Sequence, residues 1–123
     1  MLDVSTDLSM LMTDQEWEEA LPELPARLRA GGVEPVDINA ELVVGGCQPG
    51  SVLVDEYVAK HGTAPAGEKV RRVIVNAASE LPLHKVTMAV AECFPPHVLW
   101  LGSTEIGHTE LGLGSTTAWR AQD

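Results

Sequence analysis

The stretch from residue 70 to residue 101 constrains the fold more than any other part of the chain. The run VRRVIVNA over 70–77 ends in consecutive apolar residues, which is typical of an inner β-strand. Proline is tolerated in a first helical turn, so a helix is predicted from Pro82 to about Phe94, where two further prolines end it. A strand over 98–101 follows. Strand, helix and strand in this order predict a βαβ unit with a right-handed connection. The predicted buried stripe of its helix consists of Leu83, Val86, Val90 and Cys93.

A second helical region precedes this unit. Thr13 and Glu16 have the spacing of a capping box, which predicts a helix over about 14–21. Prolines at positions 22 and 25 cannot sit inside a regular helix, so they predict a kink. A short second turn then ends at Gly31-Gly32.

Two further segments have weaker or alternative patterns. Apolar and polar residues alternate over 36–44, which predicts a half-buried strand. Residues 51–61 fit either a helix with one apolar face or a strand, and the pattern leaves both open. The Thr-rich residues 102–119 predict a hairpin that turns near Gly107.

These patterns together predict one domain of class α/β or α+β. We expect a mixed four- to five-stranded sheet with about three helices, a C-terminal βαβ unit and a terminal hairpin. The domain spans residues 1–123, which fits the usual domain size of about 100–150 residues. Residues 1–12 are either part of that domain or a flexible or partner-binding N-terminal segment.

The charge of the chain limits its partners. A formal net charge of −10 repels phosphate backbones and anionic lipids, so we expect no direct nucleic-acid binding and no membrane association. The chain has two cysteines and neither a secretion signal nor a long apolar run. This combination predicts a cytoplasmic protein with reduced thiols.

The acidic N-terminal segment has two interpretations. In the first, Glu16, Glu18 and Glu19 supply charge, and Met12 and Trp17 supply apolar contact, to a partner with a basic or apolar groove. In the second, the segment is an ordinary helix that packs on its own sheet and keeps its charged face in solvent.

A loop between the predicted inner strand and its helix is the candidate ligand site. Ligands bind at this edge of open α/β sheets, and Asn76, Ser79 and His84 are placed to bind one there. The alternative interpretation is a plain helix cap. The chain has no glycine-rich phosphate-binding motif, and we predict no cofactor.

Two other groups of residues have the right chemistry for a site. His97, Glu105, His108 and Glu110 either converge on a metal ion or are solvated polar positions on the hairpin, and we predict no metal. Cys47 lies in a glycine-flanked turn and is either a nucleophile or a small residue that closes a strand.

The stretch VRRVIVNAASELPLHKVTMAVAECFPPHVLWLGST resembles the βαβ core of the periplasmic domain of ExbD/TolR energy-transducing proteins. In both, a strand leads through a loop and a proline into a helix with spaced valine and methionine. The resemblance covers about a quarter of the chain. This sequence contains no counterpart of that family's membrane helix, so the resemblance implies a fold and not a function.

The function that these features favour is binding. A small acidic domain without a catalytic constellation suits an adaptor, inhibitor or immunity-type protein that docks on a larger partner, and we expect no enzyme activity. A homodimer is also compatible with the sequence. The alternative is a small enzyme or ligand-binding protein that uses the loop at 76–84.

Overall fold

The computed structural model describes residues 1–43, 49–110 and 115–121. Five β-strands form one sheet: β1 (Leu2–Met12), β2 (Val33–Leu42), β3 (Lys69–Ser79), β4 (Leu99–Ile106) and β5 (Thr116–Arg120). Their order is β4-β1-β3-β2-β5, and each neighbouring pair is antiparallel. The α+β class and the strand number are confirmed, while the sheet that we expected to be mixed has only antiparallel neighbours among these strands.

The N-terminal residues form an inner strand of the sheet. β1 pairs with β3 from Leu2↔Ser79 to Met12↔Lys69, and it pairs with β4 on its other side. Val4, Leu8 and Met10 are buried on one of its faces. Residues 1–12 are therefore part of the domain, and the interpretation as a flexible segment is wrong because both edges of this strand are hydrogen-bonded.

The predicted βαβ unit is present in a split form. Strands β3 and β4 both run antiparallel to β1, which lies between them, so they are parallel to each other without touching. The predicted hairpin is wrong. β4 and β5 lie at opposite edges of the sheet, so they do not pair with each other.

Three helical units pack against this sheet. The first is bent as its prolines predict: α1 (Asp14–Ala20), a 3₁₀ turn (Leu21–Glu23) and α2 (Leu24–Ala30). The capping box is confirmed, since the Thr13 hydroxyl accepts the Glu16 amide at 3.1 Å. α3 (Pro49–His61) shows that 51–61 is a helix, and α4 (Leu83–Ala91) follows Pro82 as predicted.

The two faces of the sheet differ in chemistry. On the helix face, α1, α2 and α4 bury a core that includes Trp17, Leu28 and Val90. On the opposite face, α3 covers only one end, where Leu53 packs with Leu11 and Val70. Every second residue of β1, β2 and β3 projects to the rest of that face, and most of these residues are polar. We call it the polar face. Its members include Ser5, Asp7, Asp37, Asn39, Glu41, Arg72 and Asn76. No helix in the described part of the chain is long and apolar enough to span a membrane.

Candidate functional site

Two of the five predicted partner-binding residues lie in the core. Met12 is fully buried, and Trp17 is only 9% exposed. The Trp17 ring stacks on Phe94 with 6.3 Å between centroids, and the guanidinium carbon of Arg71 lies 5.4 Å from the Trp17 ring centroid. The prediction that Met12 and Trp17 supply apolar contact to a partner is corrected, because both side chains are already packed inside the domain.

Two of the four acidic residues of α1, Asp14 and Glu16, are engaged within the domain. Asp14 accepts Nη2 of Arg71 at 2.7 Å and Nζ of Lys69 at 3.0 Å, and these bonds lower the pKa of its carboxyl group. Burial tends to raise the pKa of Glu16, but bonds from Thr13 and from His97 at 2.5 Å outweigh it and lower the pKa.

Only part of the predicted acidic interface on α1 remains open. Glu18 and Glu19 are exposed, and within the described residues neither forms an ion pair with a lysine or arginine. The Glu19 carboxylate accepts the Gln15 side-chain amide at 3.0 Å. Of the predicted partner-binding set, these two glutamates are the members that a partner can reach without disturbing the helix cap.

Asn76 belongs to a buried polar cluster, where its side-chain groups are all hydrogen-bonded. Its Nδ2 donates to Oδ1 of Asp37 at 2.9 Å and to the carbonyl of Thr109 at 3.1 Å. Its Oδ1 accepts the Thr109 amide at 2.8 Å. The Asn76 side-chain amide forms two hydrogen bonds with the Thr109 backbone, as a residue of a neighbouring strand would. These bonds hold the segment around Thr109 over the sheet, so the hydrogen-bonding groups of Asn76 serve the fold.

The other two predicted ligand-binding residues are separate from Asn76. Ser79 faces the opposite side of β3, where its hydroxyl donates to the Gly32 carbonyl at 2.7 Å and accepts the Leu81 amide at 3.1 Å. His84 is exposed on α4. The structure does not bring Asn76, Ser79 and His84 together, since two of them are buried on opposite faces of the sheet.

The predicted histidine and carboxylate cluster does not converge either. Two of its members meet, since Nδ1 of His108 lies 3.9 Å from Oε1 of Glu110. However, Nε2 of His108 lies 3.4 Å from Oδ2 of Asp37, and His97 pairs with Glu16. Within the ranges that the structure describes, no group of three or more His, Cys, Asp or Glu side chains is placed to hold a metal ion.

The cysteines offer no nucleophile within the described chain. Cys47 lies outside the described residues. Cys93 is a buried free thiol on the helix face, and burial raises its pKa to about 11. A thiol with so high a pKa is a poor nucleophile at neutral pH.

Sequence reasoning missed an ion network on the polar face. Arg72 donates Nη2 to Asp7 at 2.6 Å and Nη1 to Glu41 at 3.2 Å, and these bonds raise the pKa of the guanidinium group. The alternation of polar residues along each strand could have indicated a polar face. The strand register that brings Asp7, Arg72 and Glu41 together cannot be predicted from local patterns. Arg72 is neutralised by its two carboxylates, so it is not an anion-binding group.

Four exposed carboxylates are distributed along one end of the sheet. Asp3 is the second residue of β1, Glu80 directly follows β3, Glu105 lies near the end of β4, and Glu110 comes four residues after that end. The strand pairs Leu2↔Ser79 and Val4↔Ile106 bring these ends together. Among described residues none of the four forms an ion pair with a lysine or arginine. We call Asp3, Glu80, Glu105 and Glu110 the acidic rim.

Exposed apolar side chains border the acidic rim. Leu2 is 55% exposed and Ile106 is 66% exposed, and both lie on the helix face at this end of the sheet. Charged and apolar groups of this kind occur together at protein interfaces, where the apolar groups are buried and the charges surround them.

No protein-family model matches the sequence, and neither a curated protein nor a solved structure is significantly similar to it.

Proposed function

We propose that this protein is a small acidic protein-binding module that docks on a larger, basic partner through the acidic rim. The observation that supports this proposal is the distribution of ion pairs. Six of the eight basic side chains already bind carboxylates: Arg27, Arg29, Lys60, Lys69, Arg71 and Arg72. Within the described part of the chain no lysine or arginine pairs with a rim carboxylate, and Nδ1 of His108 lies 3.9 Å from Oε1 of Glu110, so the field of the rim extends into solvent.

The rim suits an interface better than α1 does. Leu2 and Ile106 are exposed at the same end of the sheet, on the face opposite Asp3 and Glu105, whereas the apolar neighbours of Glu18 and Glu19 are buried in the core. Carboxylates accelerate encounter with a basic partner, and apolar contact then slows dissociation. Adaptor, inhibitor and immunity-type proteins all act in this way. We place the protein in the cytoplasm as part of this proposal.

The experiment compares two charge-reversed proteins that have equal net charge. The rim variant combines Glu80→Lys with Glu105→Lys, and the α1 variant combines Glu18→Lys with Glu19→Lys. Each immobilised protein is used to capture partners from a native lysate at low salt, and captured proteins are identified by mass spectrometry.

The proposal expects a basic protein that the wild type and the α1 variant capture and that the rim variant does not. Melting curves of both variants check that they are folded. If all three proteins capture the same set, the rim is not the interface and the proposed function fails.

A further inference from the structure

β4 is an edge strand, and half of its backbone groups point away from the sheet. The Gly107 amide donates to the Asp3 carbonyl at 2.8 Å, which identifies residues 107 and 3 as a hydrogen-bonded pair. Such pairs alternate along an antiparallel ladder, so Ser103 and Glu105 also bond to β1. The amides and carbonyls of Gly102, Thr104 and Ile106 therefore point outward, and no strand in the described part of the chain pairs with them.

A groove runs beside this free edge, between β4 and α4. Its volume is about 440 Å³, and it is lined by Leu83, His84, Thr87, Met88, Gly102 and Thr104. Met88 is 46% exposed, and Ile106 extends the apolar surface along the strand. The groove is shallow and open to solvent.

The floor of the groove is held in place by buried hydroxyl groups. The Thr104 hydroxyl lies 2.8 Å from that of Thr6 on β1 and 2.7 Å from that of Thr87 on α4. These contacts fix the distance between the helix and the edge strand. A segment that enters the groove therefore meets a formed surface and does not have to build one.

Gly102 has no side chain, so no side chain covers the middle of the edge strand β4. A Cβ at this position would meet the Asp7 carbonyl oxygen at 2.1 Å, so the close approach of β4 to β1 requires glycine. A strand added outside β4 would place the side chain opposite Gly102 over the groove, because residues directly opposite each other share a face.

We propose that an extended segment of a basic polypeptide adds to β4 as a sixth strand and places alternate apolar side chains in the groove between α4 and β4. This inference rests on the proposed function, since the ligand is part of a protein partner. Edge-strand addition supplies backbone hydrogen bonds for affinity, and the groove selects every second side chain. The intervening side chains face the side of β4 that carries Glu105.

Charge decides between a basic partner and a second copy of this chain. Pairing of two β4 strands would join two molecules that each have a net charge of −10. It would also bring the carboxylates of two acidic rims toward one interface. A segment in which lysine or arginine alternates with apolar residues instead matches the rim and the groove at once.

The test uses a synthetic peptide and hydrogen exchange measured by NMR. The probe is an octapeptide that is acetylated at its N-terminus and amidated at its C-terminus. Every second residue is lysine, and the residues between are valine or leucine. In the free protein, the outward amides of Gly102, Thr104 and Ile106 should exchange fast, while those of Ser103 and Glu105 are protected. Saturating peptide should slow the three outward amides by about tenfold or more and leave the inward amides unchanged.

Two control peptides and two protein variants isolate the mechanism. The first control peptide has the same composition, but its apolar residues are adjacent, so they cannot all face the groove. The second is N-methylated at the amides that face β4, so it cannot donate to that strand. Each should bind at least about tenfold more weakly than the probe. Met88→Lys should weaken binding by about tenfold. Val58→Lys changes an equally apolar helix residue, 40% exposed on α3, and should leave binding within about twofold.

Three outcomes would overturn the inference. The first is equal binding of the alternating and the rearranged peptide, and the second is binding without protection of the outward amides. The third is protection that rises with protein concentration in the absence of peptide, which would assign the edge to a second copy. If the peptide does not bind while partner capture still depends on the rim, this inference is wrong and the proposed function stands. If the rim variant captures the same partners as the wild type, the proposed function itself is wrong.

Discussion

The Thr87 hydroxyl lies 2.7 Å from the Thr104 hydroxyl, and this contact joins α4 to the edge strand β4. Both side chains are buried, and Thr104 also meets Thr6 on β1. A chain of three hydroxyls thus crosses from the helix to the inner strand under the groove. The geometry of the proposed peptide site depends on these polar contacts as well as on apolar packing.

Thr104→Val should destabilise the domain, because it removes the buried partner of the Thr6 hydroxyl, while the Thr87 hydroxyl keeps its bond to the Leu83 carbonyl. The expected loss is about 1–3 kcal/mol of unfolding free energy, the usual cost of buried polar groups left without a bond. Urea denaturation measures it. Thr117→Val, an exposed position on β5, is the control and should stay within about 0.5 kcal/mol. Equal effects of the two changes would mean that the hydroxyl chain does not contribute.

Asn76→Asp should destabilise the domain strongly at neutral pH. The change places a second carboxylate beside Asp37, which is buried and now accepts the Asn76 amide at 2.9 Å. Unpaired buried charge of this kind typically costs several kcal/mol. Because protonation of one carboxyl relieves the repulsion, the deficit should shrink toward pH 4. Gln15→Glu makes the same amide-to-acid change on the surface, and a similar loss there would contradict the account.

Acid should remove the contribution of Asp14 to stability. Bonds from Arg71 and Lys69 lower its pKa in the folded protein, so the carboxylate stabilises the fold above its unfolded pKa. That contribution is lost as the pH falls below about 4 and through the folded pKa. Asp14→Asn should therefore lower stability at pH 7 and have a smaller effect near pH 3. Asp55→Asn, an exposed position on α3, is the control. A deficit of Asp14→Asn that is independent of pH would show that the ion pairs are not its cause.

Cys93 should resist alkylation in the native protein. Its thiol is buried and its pKa is raised to about 11, so little thiolate exists at pH 8. Iodoacetamide should modify it only after unfolding in urea, and mass spectrometry of the peptide that contains Cys93 measures this. Equal rates of modification in native buffer and in urea would contradict its placement in the core.

Local signals in the sequence predicted most of the helices and strands. The capping box at Thr13 and the prolines at 22 and 25 report short-range geometry, and the structure confirms them. A strand is present where alternation predicted one, but its half-buried pattern is wrong, because Val36 is exposed while Asp37 and Asn39 are buried.

The interpretation of the N-terminal segment failed for a physical reason. Acidic residues close behind β1 suggested a surface segment, but Asp3 and Asp7 lie on the polar face of the sheet, which α3 covers only at one end, while the other face of β1 is packed in the core.

Strand order and the candidate site depend on pairing between residues that are far apart in sequence, which local patterns do not predict. Thr-rich stretches on either side of Gly107 suggested one hairpin, yet they belong to strands at opposite edges of the sheet. Asn76 was predicted to bind a ligand because it lies between an inner strand and a helix. Its hydrogen-bond partner in the structure, Thr109, is 33 residues away in sequence, so local patterns did not reveal it. The acidic rim is also a product of topology, since Asp3 and Glu105 become neighbours only through the pairing of β1 with β4.

The association rate of the captured partner tests the central claim most directly. It is measured for the wild type, for the rim variant Glu80→Lys/Glu105→Lys and for the α1 variant Glu18→Lys/Glu19→Lys. The salt concentration is raised from about 10 mM to about 1 M, over which the Debye length falls from about 30 Å to about 3 Å.

We predict that the rim variant associates about tenfold more slowly than the wild type at low salt and that this difference shrinks at high salt. The α1 variant, which has the same net charge, should keep most of the wild-type rate. Equal slowing of both variants would show that only net charge matters, and slowing of the α1 variant alone would move the interface to Glu18 and Glu19. Either result would contradict docking through the acidic rim.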